Sequence, residues 1–283
     1  GNYILIFGHW GAPALGLQGS AIASVVTAFA FVACYAIAIA RDRRLRRFRI
    51  WGRWWHWDPQ RFRAVWRIGA PVAVTIVAEA GIFNAAAFMM GAISPMALDA
   101  HTLAMQNAAV AFQVPFGIGQ AATIRVGYYY GSGDKAAIGR AGWVAIATGI
   151  GFMLITAGAM LFAPRLLLGI YVDIHAPANA AMIALAVQYM VVAAAFQLFD
   201  GAQAVALGAL RGLQDTRVPM AFALFGYWVP GLLTCLLLGF ATPLGGLGVW
   251  FGLAVGLMVV AALLMSRWAA RGRLGLVPAG TTA

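Results

Sequence analysis

Long uninterrupted runs of apolar residues, separated by short polar connections, dominate the hydrophobic pattern of this chain. Each run reaches the roughly 20 residues that a helix needs to cross the hydrocarbon core of a bilayer. The runs are continuous rather than alternating, which excludes membrane-spanning strands. The predicted spans are residues 17–40, 65–93, 103–127, 141–163, 178–210, 218–240 and 246–268. The sequence therefore predicts an all-α polytopic membrane protein, a bundle of six helices preceded by one extra helix.

Composition agrees with this pattern, because 63% of the residues are hydrophobic and only 10% are charged. A soluble domain carries about 25% charged residues, which cover its surface. The apolar residues from Tyr3 to Phe7 resemble the end of an earlier span, which predicts that the chain is part of a longer protein. The bilayer, rather than water, is the solvent that this composition suits.

The basic residues favour one side of the predicted bundle. All but one of the 19 lysines and arginines lie in or beside alternate connections, and the exception is Arg165. Positive residues accumulate on the cytoplasmic side of membrane proteins. The basic loop 41–64 and the tail 269–283 are therefore expected in the cytoplasm, and the connection 94–99 outside. We expect a multi-pass protein of the bacterial inner membrane.

The net charge of +11 and the tryptophans of the basic loop also raise the possibility of nucleic-acid binding. Trp51, Trp54, Trp55 and Trp57 alternate with arginines in this loop. The loop joins two spans, however, where tryptophan at headgroup depth and arginine facing anionic lipid are typical. The pattern favours membrane lipid as the partner and no nucleic acid.

Two acidic residues stand out because they lie inside predicted spans. Glu79 is the only glutamate of the chain, and Asp200 is the only other acid within a span. Helical rise places Glu79 about 20 Å and Asp200 about 15 Å from the cytoplasmic ends of their spans. Placing an acid at that depth costs about 2.5–3.5 kcal/mol, so such residues are usually functional. The two acids are candidates for binding a proton, Na⁺ or an organic cation, the alternative being protonated structural acids.

Other polar or flexible positions lie near these acids or within a neighbouring span. Asn84, Gln197 and Gln203 are candidate cavity-lining residues, although hydrogen bonds between helices explain single amides equally well. In the third predicted span, Pro115 combined with Gly117 and Gly119 predicts a bend. Bends that are tolerated in lipid without any role in gating are the alternative.

The chain lacks the sequence patterns of common catalytic or energy-coupling sites. No pair of its four histidines has ligand spacing, and it contains no catalytic triad and no phosphate-binding glycine loop. Transport driven by an ion gradient, without an enzyme activity and without a cofactor beyond H⁺ or Na⁺, is therefore expected.

Four segments resemble a known family of transporters. Residues 99–106 (DAHTLAMQ), 114–127 (VPFGIGQAATIRVG) and 131–134 (GSGD) are similar to the eighth helix and following loop of NorM-type multidrug and toxic compound extrusion (MATE) transporters. Residues 210–219 (LRGLQDTRVP) resemble the loop between the tenth and eleventh helices of that family. The resemblance extends over essentially the whole chain.

The resemblance implies twelve helices in two lobes and export of cationic amphipathic drugs in exchange for Na⁺ or H⁺. Residues 1–40 then correspond to the end of helix 5 and to helix 6, and residues 65–268 to the complete C-terminal lobe. The partner of this chain would be the N-terminal lobe of the same protein. Glu79 matches the acid of the family's seventh helix, and Asp200 that of its tenth.

The coupling ion is a separate question. Na⁺-coupled relatives are expected to carry a tyrosine one turn before the acid of the tenth helix, where this chain has Phe196. Residues four apart share a helix face, so Phe196 lies beside Asp200 without offering an oxygen. H⁺ coupling is therefore predicted to be at least as important as Na⁺ coupling. Glu79, Gln197 or a water could restore part of a Na⁺ site.

Two other functions compete with drug export. A lipid-linked sugar flippase of the related exporter superfamily would want a cationic cavity for pyrophosphate, whereas the charges within these spans are acidic. A membrane-embedded hydrolase could use paired carboxylates, but the chain offers neither metal ligands nor a nucleophile to accompany them.

Overall fold

The computed structural model describes residues 2–8, 10–11, 13–42 and 57–277. These residues form helices and no strand, as the hydrophobic pattern predicts. The α-helices are α1 (Asn2–Phe7), α2 (Gly16–Arg41), α3 (Pro59–Ile93), α4 (Pro95–Ser132), α5 (Lys135–Phe162), α6 (Pro164–Leu168), α7 (Ala180–Gly212), α8 (Arg217–Gly226), α9 (Leu232–Phe240) and α10 (Gly246–Ala269). A π-helical segment, Tyr227–Gly231, joins α8 to α9, and short 3₁₀ turns occupy Pro177–Asn179 and Ala270–Gly272.

Six described helical segments are long and apolar enough to cross a membrane: Gly16–Arg41, Pro59–Ile93, Lys135–Phe162, Pro177–Gly212, Arg217–Phe240 and Gly246–Gly272. The remaining predicted span, 103–127, lies within α4, which has 38 residues and is therefore about 57 Å long. Polar residues such as Gln106, Asn107 and Gln113 lower its hydropathy, which explains why composition alone does not distinguish it. The protein is a multi-pass membrane protein.

Local sequence explains where the helices of the α3–α4–α5 region begin and end. Only Ser94 separates α3 from α4, and its hydroxyl accepts a hydrogen bond from the backbone N–H of Ala97, as an N-cap residue does. Gly133 ends α4 with a φ of 76°, a left-handed conformation that glycine adopts without strain. The Asp134 carboxylate then caps α5 by accepting from the Ala137 N–H.

Several predicted connections are shorter than the sequence indicates. Because α4 begins at Pro95, both Asp99 and His101 are helical rather than part of an outer connection. His101 is buried, with its ring edge against Trp250 at a centroid distance of 5.4 Å. The last residues of the predicted basic loop 41–64 are also helical, because α3 begins at Pro59. Most of that loop, residues 43–56 with three of its four tryptophans, lies outside the described residues.

The chain divides into two compact units, Gly1–Arg63 and Ala64–Ala283. In the first unit α1 packs against α2, where Gly19 lies so close to the Leu5 backbone that a larger residue would collide. In the second unit α7 is central and packs against α4, α5 and α10. The described hydrophobic core lies in the second unit, whereas α2 buries only Gly19 and Ala23.

Small residues allow α7 to approach its neighbours closely. Gly208 of α7 lies against the backbone of Gly119 in α4, and the Thr123 hydroxyl donates to the Gly208 carbonyl at 2.8 Å. On the side facing α5, Gly149 lies against Val205 and Gly201 against Met153. Close backbone approach through small residues is the usual basis of helix association in membranes.

A buried ion pair ties the α7–α8 connection to the end of α10. The guanidinium of Arg267 donates to both carboxylate oxygens of Asp215, at 2.5 and 3.2 Å. Both side chains are largely buried, which makes this bidentate pair less screened than a surface pair. The pair fixes one end of the helical bundle of the second unit.

Candidate functional site

The two acids identified within the predicted spans face one cavity of about 350 Å³ between α3, α4 and α7. Glu79 enters it from α3 and is half-buried, whereas Asp200 enters from α7 and is only 6% exposed. The charges of the two carboxyl groups interact with each other. Two helices that are distant in sequence therefore bring their single acids to the same site.

Helical spacing explains which side chains meet at the cavity. On α7 the lining positions recur every three or four residues and so share one face. The same spacing applies to the lining residues of α3 and α4. The main contributors are Ile76, Glu79, Ala80 and Phe83 from α3, Met105, Ala108, Phe112, Phe116 and Gln120 from α4, and Phe196, Asp200, Gln203, Leu207 and Arg211 from α7.

Gln203 binds one of the two acids within the cavity. Its amide nitrogen donates to Oε1 of Glu79 at 3.3 Å, one turn of α7 away from Asp200. The other amide atom, Oε1 of Gln203, is buried and has no partner among the described residues, and the same holds for Oδ1 of Asp200. Buried polar atoms without partners are uncommon. Three of the seven such side-chain atoms among the described residues belong to side chains that line this cavity, namely Asp200, Gln203 and Arg211.

Arg211 also belongs to the site, although the sequence pattern assigned this residue to a connection between spans. It belongs to the last turn of α7, lines the cavity, and its charge interacts with that of Glu79. Its Nε atom is buried without a hydrogen-bond partner among the described residues. The spacing from Asp200 to Arg211 corresponds to three helical turns, and this periodicity was the signal that could have identified it.

Tyr227 is a second residue that sequence reasoning missed. It is the first residue of the π-helical segment and is 1% exposed. Its hydroxyl interacts with the side chains of Glu79, Asp200 and Gln203, although it forms no hydrogen bond of good geometry within the described chain. An aromatic residue in an apolar run carries no periodic signal of its own, so only the fold reveals this hydroxyl.

Two predicted lining residues do not line this cavity. Gln197 is fully buried on the α5 side of α7, where its Oε1 accepts from the Thr156 hydroxyl at 2.7 Å. Asn84 is exposed and donates to the carbonyl of Ala80 in its own helix at 2.7 Å. Helical phase accounts for both, because Asn84 is about 140° around α3 from Glu79 and Gln197 about 120° around α7 from Gln203.

The predicted bend at Pro115, Gly117 and Gly119 lies inside α4, which remains one α-helix across these residues, although Pro115 has no N–H to donate to the Ala111 carbonyl. Gly119 serves close packing, because a Cβ there would lie 2.8 Å from the carbonyl oxygen of Ala204. Gly117 has open space around it. A departure from α geometry occurs in another span, at Tyr227–Gly231, which contains Pro230.

The chemistry available for a metal ion is limited to oxygen ligands. Among the described residues, no three histidine, cysteine, aspartate or glutamate side chains lie close enough together to hold one metal ion. A Na⁺ ion at Glu79 and Asp200 would therefore need further oxygens, and the amide of Gln203 and the hydroxyl of Tyr227 are the nearby groups able to provide them. Hard cations prefer such oxygen ligands.

The fold and the site together define a class of protein. Long apolar helices enclose a cavity with paired acids, an arrangement typical of secondary transport proteins, whose sites lie within the membrane. The structure resembles that of the eukaryotic MATE transporter AtDTX14, with a TM-score of 0.79 at 20% identity over 97% of this chain and 61% of that chain. At this identity the likeness concerns the fold.

Sequence comparison gives the family. The MatE family model matches residues 71–237, which is more than half of the chain. This chain belongs to the MatE family. The resemblance identified from the sequence segments is thereby confirmed.

Curated relatives extend the match to almost the whole chain. A probable multidrug resistance protein NorM from Mesorhizobium japonicum is 45% identical over 96% of this chain. A protein of the same name from Brucella suis is 47% identical over 94%. The chain spans 58% and 57% of the lengths of these two relatives. It therefore corresponds to just over half of each of them.

Proposed function

We propose that this chain forms the C-terminal lobe of a secondary antiporter that exports cationic amphipathic compounds in exchange for H⁺ or Na⁺. The observation that carries the proposal is the cavity in which Glu79 and Asp200 meet within an otherwise largely apolar lining. The names of the relatives, which are multidrug resistance proteins, support the same substrate class. The membrane would be the bacterial inner membrane, and the partner would be the N-terminal lobe of the same protein.

The lining suits an amphipathic organic cation. Phe83, Phe112, Phe116 and Phe196 contribute four aromatic rings to the cavity. Apolar and aromatic walls with a few polar groups are typical of small-molecule sites, and aromatic faces attract organic cations. The carboxylates supply the charge that such a compound requires, whereas the rings tolerate many shapes. Broad substrate range follows from this division.

Exchange follows from the proximity of the two acids. Like charges in a buried site repel each other, so the pair favours binding a proton, a metal cation or a substrate cation. Only one of these cations at a time needs to neutralise the pair. Binding of the coupling ion from one side then displaces the organic cation, which is the basic requirement of antiport.

Arg211 adds a cation that is covalently attached to the protein. Its guanidinium lies in the same cavity and interacts with Glu79. We propose that Arg211 neutralises Glu79 when no substrate is bound, and that Asp200 is then the acid that releases and binds the coupling ion. One arginine against two acids also disfavours a flippase for pyrophosphate-linked sugars, which would need an excess of positive charge.

The coupling ion is proposed to be H⁺ at least as much as Na⁺. Phe196 provides no oxygen beside Asp200, which weakens a Na⁺ site more than a proton site. The hydroxyl of Tyr227 and the amide oxygen of Gln203 offset part of that loss. Na⁺ binding therefore depends on Tyr227, and proton binding does not.

Proteoliposomes with one imposed gradient at a time test both the function and the ion. The complete gene product should export a fluorescent lipophilic cation when a pH gradient is imposed without Na⁺. Export driven by Na⁺ alone, with none driven by pH, would overturn the proposal for the ion. Absence of export under either gradient would overturn the proposal of antiport. Tyr227→Phe should reduce only the Na⁺-driven component.

A further inference from the structure

A second cavity lies between α4 and α5, away from the paired acids. Its volume is about 420 Å³. It contains two arginines and no carboxylate, and most of its remaining lining is alanine. The lining residues are Ile118, Ala121, Ala122, Arg125 and Tyr129 from α4, and Ala137, Arg140, Ala141, Val144, Ala145 and Thr148 from α5. We call this cavity the α4–α5 groove.

The two arginines lie at the same level of the groove. Arg125 is eight residues before Gly133 and Arg140 is six residues after Asp134, on either side of the turn that joins the helices. Helical rise puts them about 12 and 9 Å from that turn. Arg125, Lys135 and Arg140 form part of the basic side of the bundle. This level corresponds to the headgroup region of the basic face.

Deeper in the groove the lining is apolar apart from Thr148, whose hydroxyl donates to the Val144 carbonyl of its own helix. Ile118 and Thr148 lie about 10–12 Å farther from the turn than the arginines. Between these levels the floor consists of small residues such as Ala121 and Ala145, which leave space that larger side chains would fill. A narrow apolar channel therefore begins where the two positive charges end. A phospholipid has the same sequence of polar and apolar parts.

The arginines are available for an anionic ligand. Neither forms an ion pair with a carboxylate in the part of the chain that the structure describes. Both side chains are exposed. The guanidinium carbon of Arg125 lies 5.8 Å from the centroid of the Tyr129 ring, an arrangement that holds the charge at the rim of the groove.

We propose that the α4–α5 groove binds an anionic phospholipid, with the phosphate between Arg125 and Arg140 and one acyl chain along the alanine floor. Guanidinium groups bind phosphate through paired hydrogen bonds. Basic pockets between membrane helices on the cytoplasmic side are known to favour acidic headgroups. This site is independent of the proposed transport function, because its residues are separate from the paired-acid cavity.

Lipid titration of the purified complete gene product tests the proposal. Phosphatidylglycerol, phosphatidylcholine and inorganic phosphate are added separately in detergent, and thermal unfolding and native mass spectrometry report binding. We expect phosphatidylglycerol to bind at least about tenfold more tightly than phosphatidylcholine, the contribution of one or two charge-assisted hydrogen bonds. Equal binding of the two lipids would overturn the proposal. Saturation by inorganic phosphate alone would assign the groove to a free anion instead.

Charge-matched variants separate the groove from general surface electrostatics. The double variant Arg125→Gln with Arg140→Gln should lose the preference for phosphatidylglycerol. The control replaces Arg217 and Arg273, which are exposed and belong to the same basic side, with glutamine. It removes the same charge and should keep the preference. An equal loss in both double variants would show that net charge, and not the groove, selects the lipid.

A second pair of variants tests the apolar floor of the groove. Ala121→Phe would place a ring in the groove, whereas Ala147→Phe places one on an exposed position of α5 outside it. Phosphatidylglycerol binding should weaken only for Ala121→Phe. Unchanged binding in that variant would contradict insertion of an acyl chain between the helices. Because both positions are exposed, neither substitution is expected to disturb folding.

Discussion

Two glutamines on opposite flanks of α7 show how one helix separates packing from function. Both polar atoms of the Gln197 amide are engaged, since its Oε1 accepts from Thr156 and its Nε2 donates to the Met160 sulfur at 3.2 Å. Gln203 has one partner, Glu79, and leaves its Oε1 unpaired in the cavity region. The same residue type has all its hydrogen bonds satisfied within the protein on one flank and has an atom free to bind a ligand on the other.

The surroundings of the two flanks differ in the same sense. Next to Gln197, the small residues Gly201 and Gly149 let α7 and α5 interdigitate without space. The side chains of Gln203, Asp200 and Arg211 instead line the cavity. Buried polar atoms without partners are uncommon, and those of the cavity flank lie where a ligand or an ion can supply a partner. The comparison therefore predicts activity defects from one flank and stability defects from the other.

The largest expected effect is on the cavity flank. Asp200→Asn keeps the size of the side chain but removes the group that binds a proton or cation. Dye efflux from cells expressing the complete gene should fall by about 100-fold or more, to background, since the replaced group is an ionisable residue within the membrane. Expression level and monodispersity should be unchanged. Asp99→Asn, an exposed acid on α4, is the control and should keep normal efflux.

The packed flank should respond in stability. A Cβ at Gly149 would lie 2.7 Å from Cγ2 of the fully buried Val205, and overpacking of this kind costs about 1–3 kcal/mol. Gly149→Ala should therefore lower the thermal unfolding midpoint. Gly151→Ala, two residues along α5 in open space, should change it little. If both substitutions had the same effect, the α5–α7 contact would not be closely packed.

The glutamines themselves allow a direct comparison. Gln197→Leu removes one of two oxygen acceptors of the Thr156 hydroxyl, which keeps the Met153 carbonyl, and such a loss costs about 0.5–1.5 kcal/mol of stability. Efflux per folded molecule should remain normal. Gln203→Leu should leave stability nearly unchanged but reduce efflux about tenfold, the loss that corresponds to about 1.4 kcal/mol. Swapped outcomes would mean that the flank assignments are reversed.

The smallest effect is expected for Arg211. Arg211→Gln removes the attached counter-charge of Glu79, whereas Arg211→Lys retains it. Efflux should fall a few-fold in the glutamine variant, about 0.5–1 kcal/mol for a screened charge interaction, and recover in the lysine variant. The pH dependence of efflux should shift only in the glutamine variant. No shift would show that Arg211 does not act on the acids.

The sequence predicted the spans well because the cost of exposing polar backbone and side chains in lipid is large. The rarity of acids within those spans identified Glu79 and Asp200 for the same reason. Arg211 escaped because its position near the end of a span made it part of the positive-inside pattern. Its position around the helix axis is only about 20° from that of Asp200. Counting charges in the connections therefore has to be combined with a helical projection of the residues at the ends of the spans.

Phase also explains why Gln197 and Asn84 were misplaced. Proximity along the chain does not establish a shared face, because each residue turns an α-helix by about 100°. Tyr227 could not be predicted at all, since its approach to the acids requires the packing of the π-helical segment against the rest of the bundle. The α4–α5 groove likewise depends on two helices lying side by side with small residues between them.

The π-helical segment between α8 and α9 has a consequence for the register of the whole span. Apart from Gly226, the buried positions along this span recur every four residues: Pro219, Ala223, Tyr227, Gly231, Cys235 and Gly239. In a continuous α-helix a four-residue repeat advances by about 40° each time and would wind this stripe to the opposite side. The wider i→i+5 turn at Tyr227–Gly231 takes up extra residues and counteracts that drift. The segment thus corrects the helical phase of the span. It keeps Tyr227 and Cys235 on one buried face, where the Cys235 thiol donates to the Val249 carbonyl.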